Sequence, residues 1–327
     1  MNKKAPGKAF REGITIKQIL KMFPDNETAE QWLIEQRWPA GISCPKCGSM
    51  NVQTGCNHPT MPFRCREKEC GRPRFSTKTG TVMEGSKIGY QDWVLATFEI
   101  MTSLKSVSSM KLHRDLGITQ KSAWFLAHRL RSALSQNDPG NLFNGPVEVD
   151  ETYVGGRRAN MSNAKRKTLK GRGSVGKTAV VGIKDRESNH VSAKVVTSTD
   201  AETLQGFVKQ HTNPDATVYT DEATVYASLP FNHSSVKHSL SQYVRGDVHT
   251  NGIESLWSML KRAHKGTFHK LSPKHLDRYV QEFAQRHNVR EQDTIEQMVT
   301  VCTGMESKRL KYDDLIACNG LDSGARA

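Results

Sequence analysis

The chain has 327 residues, with 47 Lys and Arg against 33 Asp and Glu, a net charge of +14 and a pI near 9.5. That length fits two or three domains and excludes a single mini-domain, while the positive surplus favours a polyanionic partner. Hydrophobic residues make up 36% and the mean hydropathy is -0.60, a balance that excludes wholesale disorder and describes a wet surface.

No run approaches the roughly 18 apolar residues of a membrane span, and the opening MNKKAPGKAFREG lacks the apolar middle of a signal peptide. The expectation is a soluble cytosolic protein. Seven cysteines without an export signal then point to reduced thiols and metal ligands rather than disulfides.

Residues 14–37 predict one or two short helices, with Asn26 or Thr28 capping AEQWLIEQ and a break at Pro39 and Gly41. From 42 to about 82 the chain is rich in Cys, Gly, Pro, Lys and Arg with little helical period. Helical pattern returns over 90–136, first with Trp93, Thr97, Ile100 and Leu104, then in SVSSMKLHRDLG and QKSAWFLAHRLRSAL. In the last of these Ala123, Ala127, Leu130 and Leu134 recur at helical spacing behind a Thr119 cap. Helix, Gly-containing turn and basic helix outline a helix-turn-helix. After the linker QNDPGNLFNGP, strands are predicted at PVEVDETYVGG, TAVVGIKD, HVSAKVVTS and ATVYTDEA, and a short one near SSVKHS. Helices are predicted at ETLQGFVKQH, from about Thr224, at TNGIESLWSMLKRAH and from Ser272-Pro273, which together indicate an α/β domain with a mixed sheet. The last 35 or so residues show weak pattern.

Cys44 and Cys47, then Cys65 and Cys70, form two knuckles of C-x2-C and C-x4-C. Thiolates hold tetrahedral zinc, and two knuckles brought together by a hairpin supply four sulfurs without a large core. Such a zinc is structural, because four protein ligands leave no open position. Cys56 and His58 lie inside the loop at poorer spacing, and Cys302 and Cys318 stand alone as ordinary thiols. Lys46, Arg64, Arg66, Lys68, Arg72, Arg74 and Lys78 would surround the metal with a phosphate-binding face.

Asp150 ends the alternating run PVEVD and Asp221 ends ATVYTD. Carboxylates at the ends of neighbouring strands meet in space, whereas a lone strand-end Asp is commonly a cap. On TNGIESLWSMLKR, Asn251, Glu254, Ser258 and Lys261 fall within about 80° of one another, with Ile253, Leu256, Trp257 and Leu260 opposite. Glu254 leaning over the sheet would complete a three-carboxylate cage, with Lys261 reaching a phosphate. Oxygen ligands suit Mg2+ or Mn2+, and two ions about 4 Å apart clamp the attacking and leaving oxygens of an in-line phosphoryl displacement.

The segments VEVDETYVGG, TVYTDEA and HTNGIESLWSMLKR, preceded by CPKCG, resemble the DDE transposases of bacterial insertion sequences that carry an N-terminal zinc ribbon and a ribonuclease H-like core. The resemblance spans 25–291 and implies a multidomain α/β fold: a helical segment over 1–41, a zinc ribbon over 42–82, a helix-turn-helix-like region over 83–140, a ribonuclease H-like domain over 141–291 and a tail over 292–327. It implies metal-dependent cleavage at the terminal inverted repeats of a mobile element, then attack of the freed 3′ hydroxyl on target DNA. By the same resemblance the protein acts as a homodimer or larger assembly, in the cytoplasm with the nucleoid. Asp150 and Asp221 match the first two metal ligands and Lys261 the basic residue that follows the third. The third ligand is Glu254 or Asn251; a carboxylate binds Mg2+ better than an amide, which favours Glu254. Glu151, Glu222 and Asp247 are expected to face outward or to cap.

Residues 171–178, GRGSVGKT, fit a nucleotide phosphate loop. That loop needs a strand before it and a helix after it, whereas a basic stretch precedes this one and the β-rich AVVGI follows. Arg157, Arg158, Lys165, Arg166, Lys167, Lys170, Arg172 and Lys177 carry no counter-charge among them and are expected to track a DNA backbone beside Asp150. Lys121, His128, Arg129 and Arg131 on the second helix of the helix-turn-helix are expected to contact DNA ends. Two rival readings remain, a DNA-binding regulator that has lost catalysis and a ribonuclease H-like repair nuclease.

Overall fold

The computed structural model describes residues 12–135, 142–156, 158–169, 171, 173–221, 224–236 and 248–321. They fall into two compact units, one built from the chain up to Ser135 together with Arg290–Ala317, the other from Gln136–Val289 with the residues after Ala317.

The first unit opens with α1 (Ile16–Met22) and α2 (Asn26–Arg37). The cap of α2 is Asp25, one residue ahead of Asn26 and three ahead of Thr28, the two expected: its carboxylate accepts the Thr28 amide at 2.8 Å, so Asn26 is already helical. Short strands β1 (Val52–Gln53), β2 (Phe63–Cys65) and β3 (Arg74–Phe75) form an antiparallel sheet. Next come α3 (Tyr90–Thr102), α4 (Ser109–Leu116) and α5 (Gln120–Leu134), the last two capped by Ser108 and Thr119. Leu104, expected on the buried stripe of α3, lies past its last turn and is 68% exposed. Residues 290–317 are a packed element rather than part of an unpatterned tail. Helix Thr294–Thr303 (α10 in chain order) packs on α2, α3 and α5, the Val82 amide donates to the Met305 carbonyl at 3.0 Å, and Tyr312–Ile316 forms α11.

The second unit is a five-stranded mixed sheet in the order β6-β5-β4-β7-β8. Its members are β4 (Val147–Val154), β5 (Thr178–Asp185), β6 (Val191–Val196), β7 (Thr217–Asp221) and β8 (Asn232–Val236). β4, β5 and β6 are antiparallel neighbours, while β7 and β8 run parallel to β4. A short α6 (Asn163–Thr168) precedes β5, and the stretch from Thr224, expected as a helix, is a single 3-10 turn, Thr224–Tyr226. Thr178 enters β5 directly, so no helix follows GKT as a nucleotide loop requires.

Strand alternation divides the sheet into two faces. Val147, Val149, Val181, Ile183 and Val218 form one core with α7 (Ala201–His211). Val154, Val180, Val191 and Ala193 pack on the opposite face, under α8 (Asn251–Ala263) and α9 (Pro273–Asn288). Helix α8 buries Ile253, Leu256, Trp257, Leu260 and Ala263 and exposes Asn251, Glu254, Ser258 and Lys261, the two stripes its sequence carries. Each large apolar side chain so buried contributes about 1.5–3 kcal/mol.

Helix α8 can lie this close because Gly182 has no side chain: a Cβ there would stand 2.5 Å from the Trp257 ring. The neighbour that would have to give is a packed indole against helix and sheet, so Gly182→Ala is expected to destabilise the second unit by about 1–3 kcal/mol in denaturant titration. A neutral effect would mean that the helix is not seated as described.

Candidate functional site

In the first unit, the Cys44 and Cys70 sulfurs are 3.8 Å apart, as are those of Cys47 and Cys65, and all four lie within 4.8 Å of one another. A tetrahedral ion with Zn–S bonds of about 2.3 Å requires S···S edges of about 3.8 Å, so the cysteines fit zinc. Three of the four are buried, among Trp38, Phe63 and Phe75, whose ring centroids are 5.6–6.1 Å apart. Burial, then the crowding of the neighbouring sulfurs, pushes the Cys70 thiol up to about 12. Cys56 lies outside the cluster, its sulfur directed at the Gln53 carbonyl. The site is structural and staples three strands too short to hold a sheet alone.

In the second unit, β4 and β7 pair in register through Val147↔Val218 and Glu148↔Tyr219. Two residues further along each strand come Asp150 and Asp221, on the face covered by α8. Asp221 is the last residue of β7, whereas Asp150, expected at a strand end, stands midway along β4, which runs on to Val154 paired with β5; the crevice opens where β7 stops beside the longer β4. The Trp257 indole, lying over Gly182 opposite Asp150 in the β4–β5 ladder, donates to Asp150 Oδ2 at 3.1 Å, and the Glu151 amide donates to Oδ1 at 2.8 Å. Burial first, then the charges of Asp221 and Glu254, push the Asp150 carboxyl up to about 6, against those two hydrogen bonds.

Glu254 stands exposed in the first turn of α8, its Oε1 accepting from Thr250 Oγ1 at 2.9 Å, and Asn251 is the exposed first residue of the helix. The charges of Asp221 and Glu254 act on Asp150 without the three drawing as close as the cysteines, the only set of three or more such ligands within 4.8 Å among the described residues.

Glu151, expected to face outward, is half-buried and accepts a hydrogen bond from the fully buried Tyr226 hydroxyl. Both faces of this central strand are covered, so the residue after Asp150 points into the opposite layer. Burial, then Asp150 and Asp221, push its carboxyl up to about 8. Glu222 and Asp247 lie outside the described residues.

Sequence reasoning missed Glu148. It is 1% exposed, accepting from Arg186 Nε at 2.8 Å and from the Ile253 amide at 2.9 Å, with His249 Nδ1 3.3 Å away. An acidic residue in an alternating strand reads as solvent-facing; the signal overlooked is that Glu148 and Asp150 share the face that α8 covers.

Lys261 lines a cleft of about 620 Å³ with Glu151, Arg158, Lys177, His264 and Lys265. Arg158 is also a staple of its loop, its guanidinium donating to the Gly171 and Leu169 carbonyls, and Arg166 Nη2 donates to Asn163 Oδ1 at 2.9 Å. Lys167 and Lys177 are exposed, while Arg157, Lys170, Arg172 and the side chain of Lys165 lie outside the described residues. On α5, Lys121 is exposed and rides over the Tyr312 ring at 4.3 Å. Arg129 and Arg131, expected to meet DNA, are 7% and 2% exposed. Arg129 donates to the carbonyls of Leu310 and Glu84 at 3.2 and 3.1 Å, so its charge is spent inside the unit, in part on a residue that returns from far along the chain. His128 is fully buried as well.

Removal of zinc by a chelator is expected to unfold the ribbon and speed proteolysis over residues 42–82. Cys47→Ser should lose zinc, and Cys56→Ser should retain one zinc per chain by atomic absorption; zinc loss in the second variant would redraw the ligand set. A second expectation concerns pH. An acid whose folded pKa exceeds its unfolded value makes the fold bind protons that the unfolded chain has released, so stability falls as pH rises between the two values. From Asp150 and Glu151, the metal-free second unit should lose stability between about pH 4 and about pH 8. The thermal midpoint of an Asp150→Asn, Glu151→Gln double variant should fall less over that range than the parent's, and parallel curves would refute the assignment.

Residues 24–73 match the model of a transposase zinc-ribbon domain, and residues 143–288 match that of an ISXO2-like transposase domain. Among curated relatives, a protein named "Uncharacterized protein in transposable element ISH50", from Halobacterium salinarum, is 30% identical over 288 residues, covering 83% of this chain and 93% of its own length. A transposase-like protein of Haemophilus influenzae is 30% identical over 97 residues, 29% of this chain and 77% of that protein. Among solved structures, a chain of a simian T-cell lymphotropic virus intasome aligns over 59% of this chain and 65% of its own, at 15% identity and a TM-score of 0.27. With both domain models matched in order and a relative aligned along most of its length, the chain belongs to the insertion-sequence transposases that join a zinc ribbon to an ISXO2-like transposase domain.

Proposed function

We propose that the protein is a DDE-type transposase that cuts the ends of an insertion sequence and joins the freed 3′ hydroxyls to target DNA. The observation that carries this reading is the pair Asp150 and Asp221, in matching register on one face of adjacent parallel strands, with Glu254 brought over them by α8. The strand order supports a ribonuclease H-like core, and the domain limits follow as 42–82 for the ribbon and 141–291 for catalysis.

The donor set suits Mg2+ or Mn2+. The neighbouring carboxylates raise the proton affinity of Asp150, and a divalent cation would relieve that repulsion while accepting oxygen ligands. Bound in pairs, such ions would supply activation of the attacking oxygen and stabilisation of the leaving one. In the reading proposed, Asp150, Asp221 and Glu254 hold the metal, with Glu254 rather than Asn251 as third ligand because the Glu254 charge already acts on Asp150. Trp257 orients Asp150 by its indole hydrogen bond. Lys261 and Lys177 bind phosphates in the basic cleft, Lys167 does so from the loop outside it, and Lys121 is the exposed cation of the helix-turn-helix. In cleavage, a water oxygen attacks phosphorus and the element's 3′ oxygen leaves. In joining, that hydroxyl attacks a target phosphorus and displaces the target's own 3′ oxygen. Two ends handled together call for a dimer or larger assembly on DNA, in the cytoplasm with the nucleoid.

A strand-transfer assay with Mg2+ tests the reading. Asp150→Ala, Asp221→Ala and Glu254→Ala should each lose about a hundredfold to a thousandfold or more in rate, while Asn251→Ala stays within about tenfold of the parent. Parent-like activity of Asp150→Ala would leave a DNA-binding regulator in the enzyme's place, and loss in Asn251→Ala alone would move the third ligand there.

A further inference from the structure

Helix α8 has no side-chain cap of its own. The hydroxyl of its N-cap residue, Thr250, is used on Glu254, so the first-turn amides need acceptors from elsewhere. The Ile253 amide finds one in Glu148 Oε2 at 2.9 Å, a carboxylate supplied by the sheet. A negative charge against a helix N-terminus is also favoured by the helix dipole. The fit is close: a Cβ on Gly252 would stand 2.7 Å from Glu148 Oε2 and 2.8 Å from Lys184 Nζ.

The other oxygen of Glu148 accepts from Arg186 Nε at 2.8 Å and faces His249 Nδ1 at 3.3 Å. Arg186 in turn donates to the His249 carbonyl at 2.7 Å, just ahead of α8, and lies over the Tyr219 ring at 4.5 Å. Tyr219 precedes Asp221 by two residues, as Glu148 precedes Asp150, and Ile253 directly precedes Glu254. One buried carboxylate thus ties together the segments that bear all three acidic groups. Both of its oxygens are taken by donors, so it is not a fourth metal ligand.

We propose that Glu148 is a positioning residue for the metal-holding carboxylates: by anchoring the first turn of α8 through the Ile253 amide, it sets Glu254 over Asp150 and Asp221. The inference rests on the reading of those three carboxylates given above.

The test uses the full-length, zinc-loaded chain and measures Mn2+ affinity by electron paramagnetic resonance, with melting temperature and DNA affinity alongside. Glu148→Gln keeps the shape but removes the charge, and should weaken Mn2+ binding and end cleavage by about tenfold to a hundredfold. DNA affinity should stay within about twofold. In a Glu254→Ala background the same substitution should change Mn2+ affinity by less than about twofold, because the group it positions is gone. Parent-like Mn2+ affinity in a folded Glu148→Gln, or equal weakening in both backgrounds, overturns the proposal. Should Glu148→Gln fail to fold, Gly252→Ala decides. Alanine favours the helix, so weaker Mn2+ binding at an undiminished melting temperature supports the role, and unchanged binding refutes it. If Asp150→Ala binds Mn2+ as the parent does, the carboxylate reading itself falls, and the positioning role with it.

Discussion

The seating of α8 across the middle of the five-stranded sheet is the constraint on which the second unit turns. Its apolar stripe supplies the adhesion, but adhesion alone leaves a helix free to slide. Two polar ties from β4, Asp150 to the Trp257 indole and Glu148 to the Ile253 amide, fix where along the sheet it comes to rest. Missing side chains at Gly182 and Gly252 let backbone and ring approach closely enough for both ties to form. Burying charge on a central strand is unfavourable unless it is matched. β4 does so at three successive acidic positions, each met by a different group: Arg186 at Glu148, Trp257 at Asp150 and Tyr226 at Glu151.

The zinc ribbon meets the opposite problem, too little core rather than too much buried charge. Strands of two and three residues cannot sustain a sheet by backbone pairing. Four sulfurs around one ion, wrapped by Trp38, Phe63 and Phe75, replace the missing hydrophobic mass. The ribbon and the second unit therefore rest on different physics, metal–thiolate bonding in the one and a layered apolar core in the other.

How much the sequence disclosed follows from the range of each interaction. The cysteine knuckles, Asp221 at the end of its strand and the two stripes of α8 are local patterns, and local patterns survive in a one-dimensional reading; Asp150 reads as a strand end, yet pairing with β5 carries β4 on to Val154. Arg129 and Arg131 misled because a basic second helix looks like a recognition helix. What consumes the Arg129 charge is Leu310, and no periodicity announces a partner so far along the chain. Glu148 was hidden in another way: its strand reads as half-exposed, and only the arrival of α8 on that face turns an apparent surface acid into a buried anchor. Asp25 and Leu104 mark the usual blur at helix ends, where one residue decides between cap and turn.

The return of residues 290–317 to the first unit makes the sheet-bearing unit an insertion between two parts of its neighbour. During synthesis the ribbon and the first five helices leave the ribosome early, yet α10, which packs on α2, α3 and α5, follows only after the whole sheet has been made. The first unit therefore completes its core last, although it begins first. A nascent chain stalled within the second unit would carry an unfinished partner at its head, with the apolar surface for α10 still open to chaperones or to misassembly.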